Sequence, residues 1–193
     1  VLRTRLDRMT RREELIERAV SQGVIPSLGG PPDGHLMQCP AELADLILWL
    51  ETRAFEKRYL EIGVGYGGLM KFMDGIGWRG FGIDPLPPLD VPKDRVLCER
   101  SDSEAALQCA LSRSPWGFIL IDGDHHYDAV FADWDRYRPL SDIIVFHDIE
   151  GLRGCDGVRE LWHRISTRYG GQTIKFIDHS AGEHRAGIGV WYK

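Results

Sequence analysis

The sequence predicts an α/β fold of the Rossmann-like kind: a doubly wound, seven-stranded sheet, mostly parallel, with helices on both faces and a C-terminal antiparallel hairpin. Two observations predict it. Short strands that are apolar throughout alternate with amphipathic helices, a pattern typical of a parallel sheet covered on both faces. Near the end of the chain, "QTIKFID" and "GIGVWYK" are two strands joined by a polar loop, which predicts a hairpin at the sheet edge.

The first helices precede the sheet. Apolar spacing predicts an N-terminal helix from about Leu6 to Val20, and Pro40 is suited to open a second helix. The inward face of the first helix is expected to consist of Leu15, Ile16, Ala19 and Val20.

Five buried strands follow. They are predicted at 59–62, 80–84, 95–99, 117–122 and 142–148. Aromatic stripes at helical spacing predict helices from 127 to 137 and from 158 to 169. Only ten residues, 85–94, join the second strand to the third, which leaves no room for a helix between them.

Composition favours one domain. The chain has 193 residues, 43% hydrophobic and 27% charged, which is enough to bury a core without disulfides or metals. We expect residues 1–40 to form the N-terminal helix and a lid-like loop, and 41–193 the Rossmann-like core. A net charge of −5 argues against nucleic acid as a partner, and no apolar stretch suggests a membrane span. The four cysteines show no CxxC spacing, so a reduced, cytoplasmic protein is expected, and a homo-oligomer is compatible with the sequence.

A glycine-rich turn follows the first strand, in "YLEIGVGYGG". Gly63, Gly65 and Gly68 satisfy the GxGxxG pattern of dinucleotide sites, which alone is weak. The series Glu61, Gly63, Gly65, Gly67 instead satisfies the first motif of class I S-adenosylmethionine-dependent methyltransferases. Glu61 favours S-adenosylmethionine over a nicotinamide, because a carboxylate would repel a pyrophosphate but would suit a cationic methionine.

Other cofactor contacts are expected at the next strand ends. Asp84, at the tip of the second strand, would accept hydrogen bonds from a ribose diol. Ser101 and Asp102 are expected to contact the adenine, although a helix capping box formed by Ser101 and Glu104 would explain the same residues. His35 and Gln38 lie just before the second helix, near the expected cofactor mouth.

Acids and histidines crowd the ends of the fourth and fifth strands. "IDGDHHYDAV" follows one strand, and His147-Asp148 ends the other. Since neighbouring parallel strands bring their tips together, Asp122, His147 and Asp148 are expected to converge on one cation. Oxygen-rich ligation suits Mg²⁺ or Mn²⁺, and imidazole widens the choice to softer metals. The alternative is that Asp124 and Asp148 only cap the helices that follow.

The segments "EIGVGYGG", "GID", "LIDGDHHYDAVFADWDRYRPL" and "IIVFHDI" resemble a branch of the class I methyltransferases. It includes macrocin-type and sugar O-methyltransferases and cephalosporin-hydroxylase-like proteins, and the similarity covers about residues 35–165. The resemblance implies O-methylation of a small-molecule hydroxyl with S-adenosylmethionine and a divalent cation. Asp122 would ligate the metal and border the cofactor, Asp124 would be the general base, and Asp148 a second ligand.

The resemblance leaves His147 open, because several relatives have an acid in its place. His147 would ligate through its imidazole, act on a proton, or only pack. Two alternative functions follow from the residues. One is metal-independent methyl transfer with His125, His126 or His147 as the base, and the other is a cofactor-binding module without catalysis.

Overall fold

The computed structural model describes residues 2–23, 35–86, 91–151, 154–180 and 186–193. The strands are β1 Arg58–Ile62, β2 Arg79–Ile83, β3 Val96–Leu97, β4 Phe118–Ile121, β5 Ile143–Phe146, β6 Gln172–Phe176 and β7 Ile188–Tyr192. The helices are α1 Leu2–Gln22, α2 Pro40–Arg53, α3 Gly68–Gly75, α4 Glu104–Arg113, α5 Tyr127–Tyr137 and α6 Asp156–Arg168.

The seven strands form one sheet in the order β3-β2-β1-β4-β5-β7-β6. The first five strands pair in parallel, and β7 pairs antiparallel with both β5 and β6. Strand order reverses between β1 and β4, which is where ligands bind in open α/β sheets. The predicted doubly wound, mostly parallel sheet with a C-terminal hairpin is confirmed, and β7 lies between β5 and β6.

Side chains alternate between two apolar layers. In β4, Ile119 and Ile121 pack with α4, α5 and α6, whereas Phe118 and Leu120 pack with α1, α2 and α3. This alternation is the period of two of a strand, and it means that both faces of the sheet are covered. It also fixes which face each strand-end side chain points toward.

The N-terminal helix packs on the core. Leu15 and Ala19 are 1% and 0% exposed, as predicted, but Val20 is 59% exposed and its predicted inward position is wrong. Leu15 and Ala19 lie four residues apart on one stripe, and Val20 is turned about 100° from Ala19 around the helix axis. Arg12 anchors the helix to α2 by donating two hydrogen bonds to Asp45, at 2.6 and 2.9 Å.

Three further expectations concern connections. Between β2 and β3 the described residues form only a short 3₁₀ turn, Lys93–Arg95, so the absence of a helix there is confirmed for that part. The greater part of the expected lid-like loop, residues 24–34, lies outside the described residues. Within the described residues, no helix is both long and apolar enough to cross a membrane.

Candidate functional site

The glycine turn between β1 and α3 uses left-handed backbone. Gly63, Gly65 and Gly67 have φ values of +84°, +52° and +74°, a region that glycine enters without strain. A Cβ on Gly63 would collide with the main chain of Asp122 and Gly123, so Gly63 lets β1 and β4 approach closely. A Cβ on Gly65 would meet no atom within 4 Å. The space above Gly65 is therefore open, as a site for a bound ligand requires.

Gly68 has a packing role. A side chain there would collide with the main chain of His35 and Leu36, which crosses the start of α3. Two of the glycines of the GxGxxG pattern, Gly63 and Gly68, are thus explained by close main-chain approach.

Asp84 joins β2 to the glycine turn. Its Oδ2 accepts hydrogen bonds from the main-chain N–H groups of Val64 and Gly65, at 2.8 and 3.0 Å. Its Oδ1 accepts one from Leu86 N at 2.7 Å. Asp84 lies at the predicted strand tip and is 8% exposed, but its carboxylate already holds three backbone donors. Its expected contact with a ribose stays a prediction.

Glu61 is a buried acid beneath the turn. It is 2% exposed and accepts a hydrogen bond from the Tyr59 hydroxyl at 3.1 Å. Burial, and next the charge of Asp122, raises the pKa of Glu61 well above its usual range. Burial favours the neutral form of such a carboxyl. The expected contact of Glu61 with the cofactor stays a prediction.

The turn after β3 differs from the predicted cap. Ser103, and not Ser101, caps α4, because its hydroxyl accepts a hydrogen bond from Ala106 N at 3.1 Å. The expected Ser101–Glu104 capping box is wrong. The Ser101 carbonyl instead accepts a hydrogen bond from the Tyr137 hydroxyl at 2.6 Å, and Asp102 is paired with Arg100. Neither arrangement tests the expected adenine contact.

The predicted convergence at the ends of β4 and β5 is present. The register pairs Ile121 with Phe146, so the next residues, Asp122 and His147, are neighbours. His147 Nδ1 lies 3.3 Å from Asp122 Oδ1 and 3.3 Å from Asp148 Oδ2. One ligand atom from each of these three residues lies within 4.8 Å of the others. The three residues can therefore share one cation.

Two further residues complete this cluster. His125 Nε2 lies 3.1 Å from Asp148 Oδ2 and 3.6 Å from Asp122 Oδ1. Gln38 Nε2 donates a hydrogen bond to Asp122 Oδ2 at 3.0 Å. Gln38 therefore contacts a candidate metal ligand, and its expected contact with the cofactor stays a prediction.

The charges in the cluster balance one another. Burial alone would raise the pKa values of Asp122 and Asp148. The nearby His147, and after it His125, lowers them by more, so both pKa values lie below the usual range. Burial lowers the pKa of His147, but the two carboxylates raise it well above normal. Close contact with Asp122 and then Asp148 raises the pKa of His125 to about 10. The two histidines thus lie close to the same two carboxylates that a divalent cation would neutralise.

Asp124 and His126 do not join this cluster. Asp124 Oδ1 accepts hydrogen bonds from the main-chain N–H of His126 and from its ring Nδ1, at 2.9 and 2.6 Å. Both side chains are largely exposed, at 59% and 90%. Asp124 therefore lies just before α5 but does not cap it, because His126 is at the cap position and no described side chain caps the helix. Asp148 does not fit the capping alternative either, because α6 begins at Asp156 with Cys155 at the cap position.

Two features of the cluster were missed by sequence reasoning. Asp148 has a φ of +61°, which is unusual for a residue other than glycine and holds its side chain toward His147. Cys155, 7% exposed at the start of α6, lies beside His125 and Asp148. No spacing rule could have found Cys155, because the chain returns to the site through a loop.

The solved structures similar to this chain include two methyltransferases and one further protein with a bound cofactor. MycE methyltransferase from the mycinamycin biosynthetic pathway, in complex with Mg, SAH and mycinamycin VI, aligns with 94% of this chain at a TM-score of 0.58 and 17% identity. The O-methyltransferase from Bacillus cereus in complex with SAH has a TM-score of 0.54 and is 14% identical to this chain. The alignment covers 95% of this chain and 91% of the Bacillus cereus protein. Cofactor-bound Rv0187 from MTB has a TM-score of 0.55 and is 16% identical to this chain, and the alignment covers 93% of this chain and 88% of Rv0187.

These similarities, at 17% identity or lower, show the fold alone: the chain has a Rossmann-like fold, which it shares with these structures. The alignment covers 54% of MycE, so the chain spans about half of the length of that protein. No protein-family model matches the chain, and no curated protein does.

Proposed function

We propose that the chain is an S-adenosylmethionine-dependent O-methyltransferase that acts on a small-molecule hydroxyl with the help of a divalent cation. The observation that supports this most is the convergence of Asp122, His147 and Asp148 at the ends of β4 and β5, next to the strand-order reversal between β1 and β4. The similar structures add support, because two contain SAH and one of these also contains Mg and a small-molecule acceptor.

The cofactor fits the glycine turn. The open space above Gly65 would admit the methionine part of S-adenosylmethionine, and the buried carboxyl of Glu61 in β1 would face its cationic group. In our proposal the turn N–H groups of Val64 and Gly65, now bound to Asp84, position the cofactor at the carboxyl end of β1.

The residues also fit a divalent cation. Two carboxylates and one imidazole offer oxygen and nitrogen donors, which suit Mg²⁺ or Mn²⁺ when water completes the shell. Asp122, His147 and Asp148 would hold the ion, which would lower the pKa of the acceptor hydroxyl. Gln38 would orient Asp122 through its hydrogen bond.

His125 is the best-placed base once a bound cation offsets the charges of Asp122 and Asp148, which otherwise raise the pKa of His125 to about 10. Its side chain is 34% exposed, and its Nε2 lies beside the carboxylates of Asp122 and Asp148. Asp124, the base that the family resemblance suggested, is hydrogen-bonded to His126 instead. We therefore propose that His125 takes the proton of the acceptor hydroxyl while the oxygen attacks the methyl carbon. The carbon–sulfur bond breaks in line, and SAH leaves.

Binding of Mn²⁺ to the purified chain tests the metal part of this proposal. Asp122→Asn and Asp148→Asn should each weaken Mn²⁺ binding by at least about tenfold, since each removes a charged ligand. Asp124→Asn is the matched control, because it changes an acid of the same segment outside the cluster. Equal Mn²⁺ affinity in all four proteins, measured by electron paramagnetic resonance, would contradict the metal assignment.

Turnover on a panel of hydroxyl acceptors separates the two bases. His125→Gln should still bind SAH and lose about 10²–10⁴-fold in rate, as expected for removal of a general base. Asp124→Asn should retain its rate. The reverse result would return the base to Asp124.

A further inference from the structure

A second group of metal-binding side chains lies against the first. His125, Asp148 and Cys155 each offer one ligand atom within 4.8 Å of the others. Asp148 belongs to both groups. The proposed methyl transfer gives the thiol of Cys155 no role.

The backbone holds this second group together. Gly157, in the first turn of α6, lies so close to the main chain of 125–127 that a Cβ there would collide with it. The start of α6, and with it Cys155, is therefore fixed against the loop that carries His125. Asp148 reaches the same point from the end of β5 through its left-handed backbone, at a φ of +61°.

The ring of His125 is arranged for a ligand. Its Nε2 is shielded from solvent and lies 3.1 Å from Asp148 Oδ2, so the ring and the carboxylate face one point. A cation between the ring, the carboxylate and the thiol would contact all three.

The donor types select the ion. Thiolate and imidazole are ligands of Zn²⁺ and related transition metals, whereas Mg²⁺ is bound almost entirely by oxygen. The group formed by Asp122, His147 and Asp148 contains no sulfur, so the two groups differ in the ions they prefer.

We propose that His125, Asp148 and Cys155 form a second cation site, specific for thiophilic divalent ions such as Zn²⁺. Because Asp148 is shared, an ion here competes with the cation held by Asp122, His147 and Asp148. It also engages His125, so Zn²⁺ inhibits methyl transfer. The inhibition depends on the proposed function, but the site itself does not.

Cobalt spectroscopy of the purified protein tests the site directly. Co²⁺ should give a near-ultraviolet thiolate-to-cobalt charge-transfer band that saturates at one equivalent per site, and Zn²⁺ should abolish it by displacement. Cys155→Ser should lose the band and bind Zn²⁺ at least about tenfold more weakly. Cys109→Ser is the matched control, since Cys109 is a half-buried cysteine on α4, and it should keep the band.

Further variants keep the test decisive if Cys155→Ser folds poorly. His125→Gln, at a partly exposed position, should weaken Co²⁺ binding at least tenfold, and Asp122→Asn should retain the thiolate band while losing Mn²⁺. Absence of the band in the wild-type protein, or its survival in Cys155→Ser, would overturn the proposal. A thiolate band in a protein that fails to bind SAH would keep this site and reject the methyltransferase.

Discussion

At the scale of single residues, Asp84 shows how one side chain can hold a turn together. Its carboxylate accepts three main-chain N–H groups, from Val64, Gly65 and Leu86. The sequence suggested a ribose contact at this position. The hydrogen bonds mean that Asp84 also holds the glycine turn against β2.

Replacing Asp84 should therefore affect folding as well as binding. Asp84→Ala leaves three donors without their acceptor, and we expect the free energy of unfolding to fall by about 3 kcal/mol or more. The Asp84→Asn variant keeps one oxygen acceptor, so its free energy of unfolding should fall by less. Asp94→Ala, at an exposed acid nearby, is the control. Urea denaturation measures the difference, and an Asp84→Ala protein as stable as the control would show that these hydrogen bonds contribute little.

Asp133 on α5 gives a prediction of pH dependence. Asp133 is 3% exposed, and burial raises its pKa to about 6, while the Ser101 hydroxyl partly opposes the shift. The folded protein then holds a proton between about pH 4 and 6 that the unfolded chain releases. Stability from this group is therefore lost as the pH rises through that window.

Asp133→Asn removes this ionisation. It should flatten the fall in unfolding free energy between pH 4 and 6, a change of about 3 kcal/mol for a shift of roughly two pKa units. Thermal unfolding across the window measures it, with Asp135→Asn, exposed on the same helix, as the control. An unchanged pH profile in Asp133→Asn would mean that Asp133 titrates normally in the folded protein.

At the scale of elements, the glycine turn separates folding from binding. Gly63→Ala should destabilise the fold by more than about 3 kcal/mol, because left-handed strain is joined by a collision with the main chain of Asp122. Gly65→Ala meets open space and should cost only about 1 kcal/mol. Its methyl group would, however, occupy the proposed cofactor space, and SAH affinity should fall at least about tenfold.

Gly77→Ala is the control for this comparison. Gly77 has a φ of +85° and also faces open space, but it follows α3, away from the turn. It should lose some stability and keep its SAH affinity, measured by calorimetry. If Gly65→Ala binds SAH as well as Gly77→Ala does, the cofactor does not approach this glycine.

The elements also show what a sequence can predict. Strands β1, β2, β4 and β5 were predictable because each is a short apolar run bounded by turn residues. Glu42 was not, although it is 1% exposed and accepts hydrogen bonds from the main-chain N–H groups of Asp178 and Gly187. These partners lie 136 and 145 residues away, and no local pattern records such a contact.

At the scale of the whole molecule, the candidate site was predictable to the extent that sheet topology determines it. Parallel pairing brings residues at adjacent strand ends together, and this placed Asp122, His147 and Asp148 correctly. The orientation of His125, the hydrogen bond from Gln38 and the approach of Cys155 depend on loops that cross the sheet edge. Their geometry follows from tertiary packing, so only the structure provides it.

Cofactor binding by the intact chain tests the central claim most directly. SAH at about one hundred times its dissociation constant should stabilise the folded state by about 2.7 kcal/mol and raise the melting temperature by roughly 5–10 °C. Calorimetry should show one SAH per chain, and NAD should produce neither effect. A melting temperature that responds to NAD and not to SAH would contradict the assignment as an S-adenosylmethionine-dependent methyltransferase.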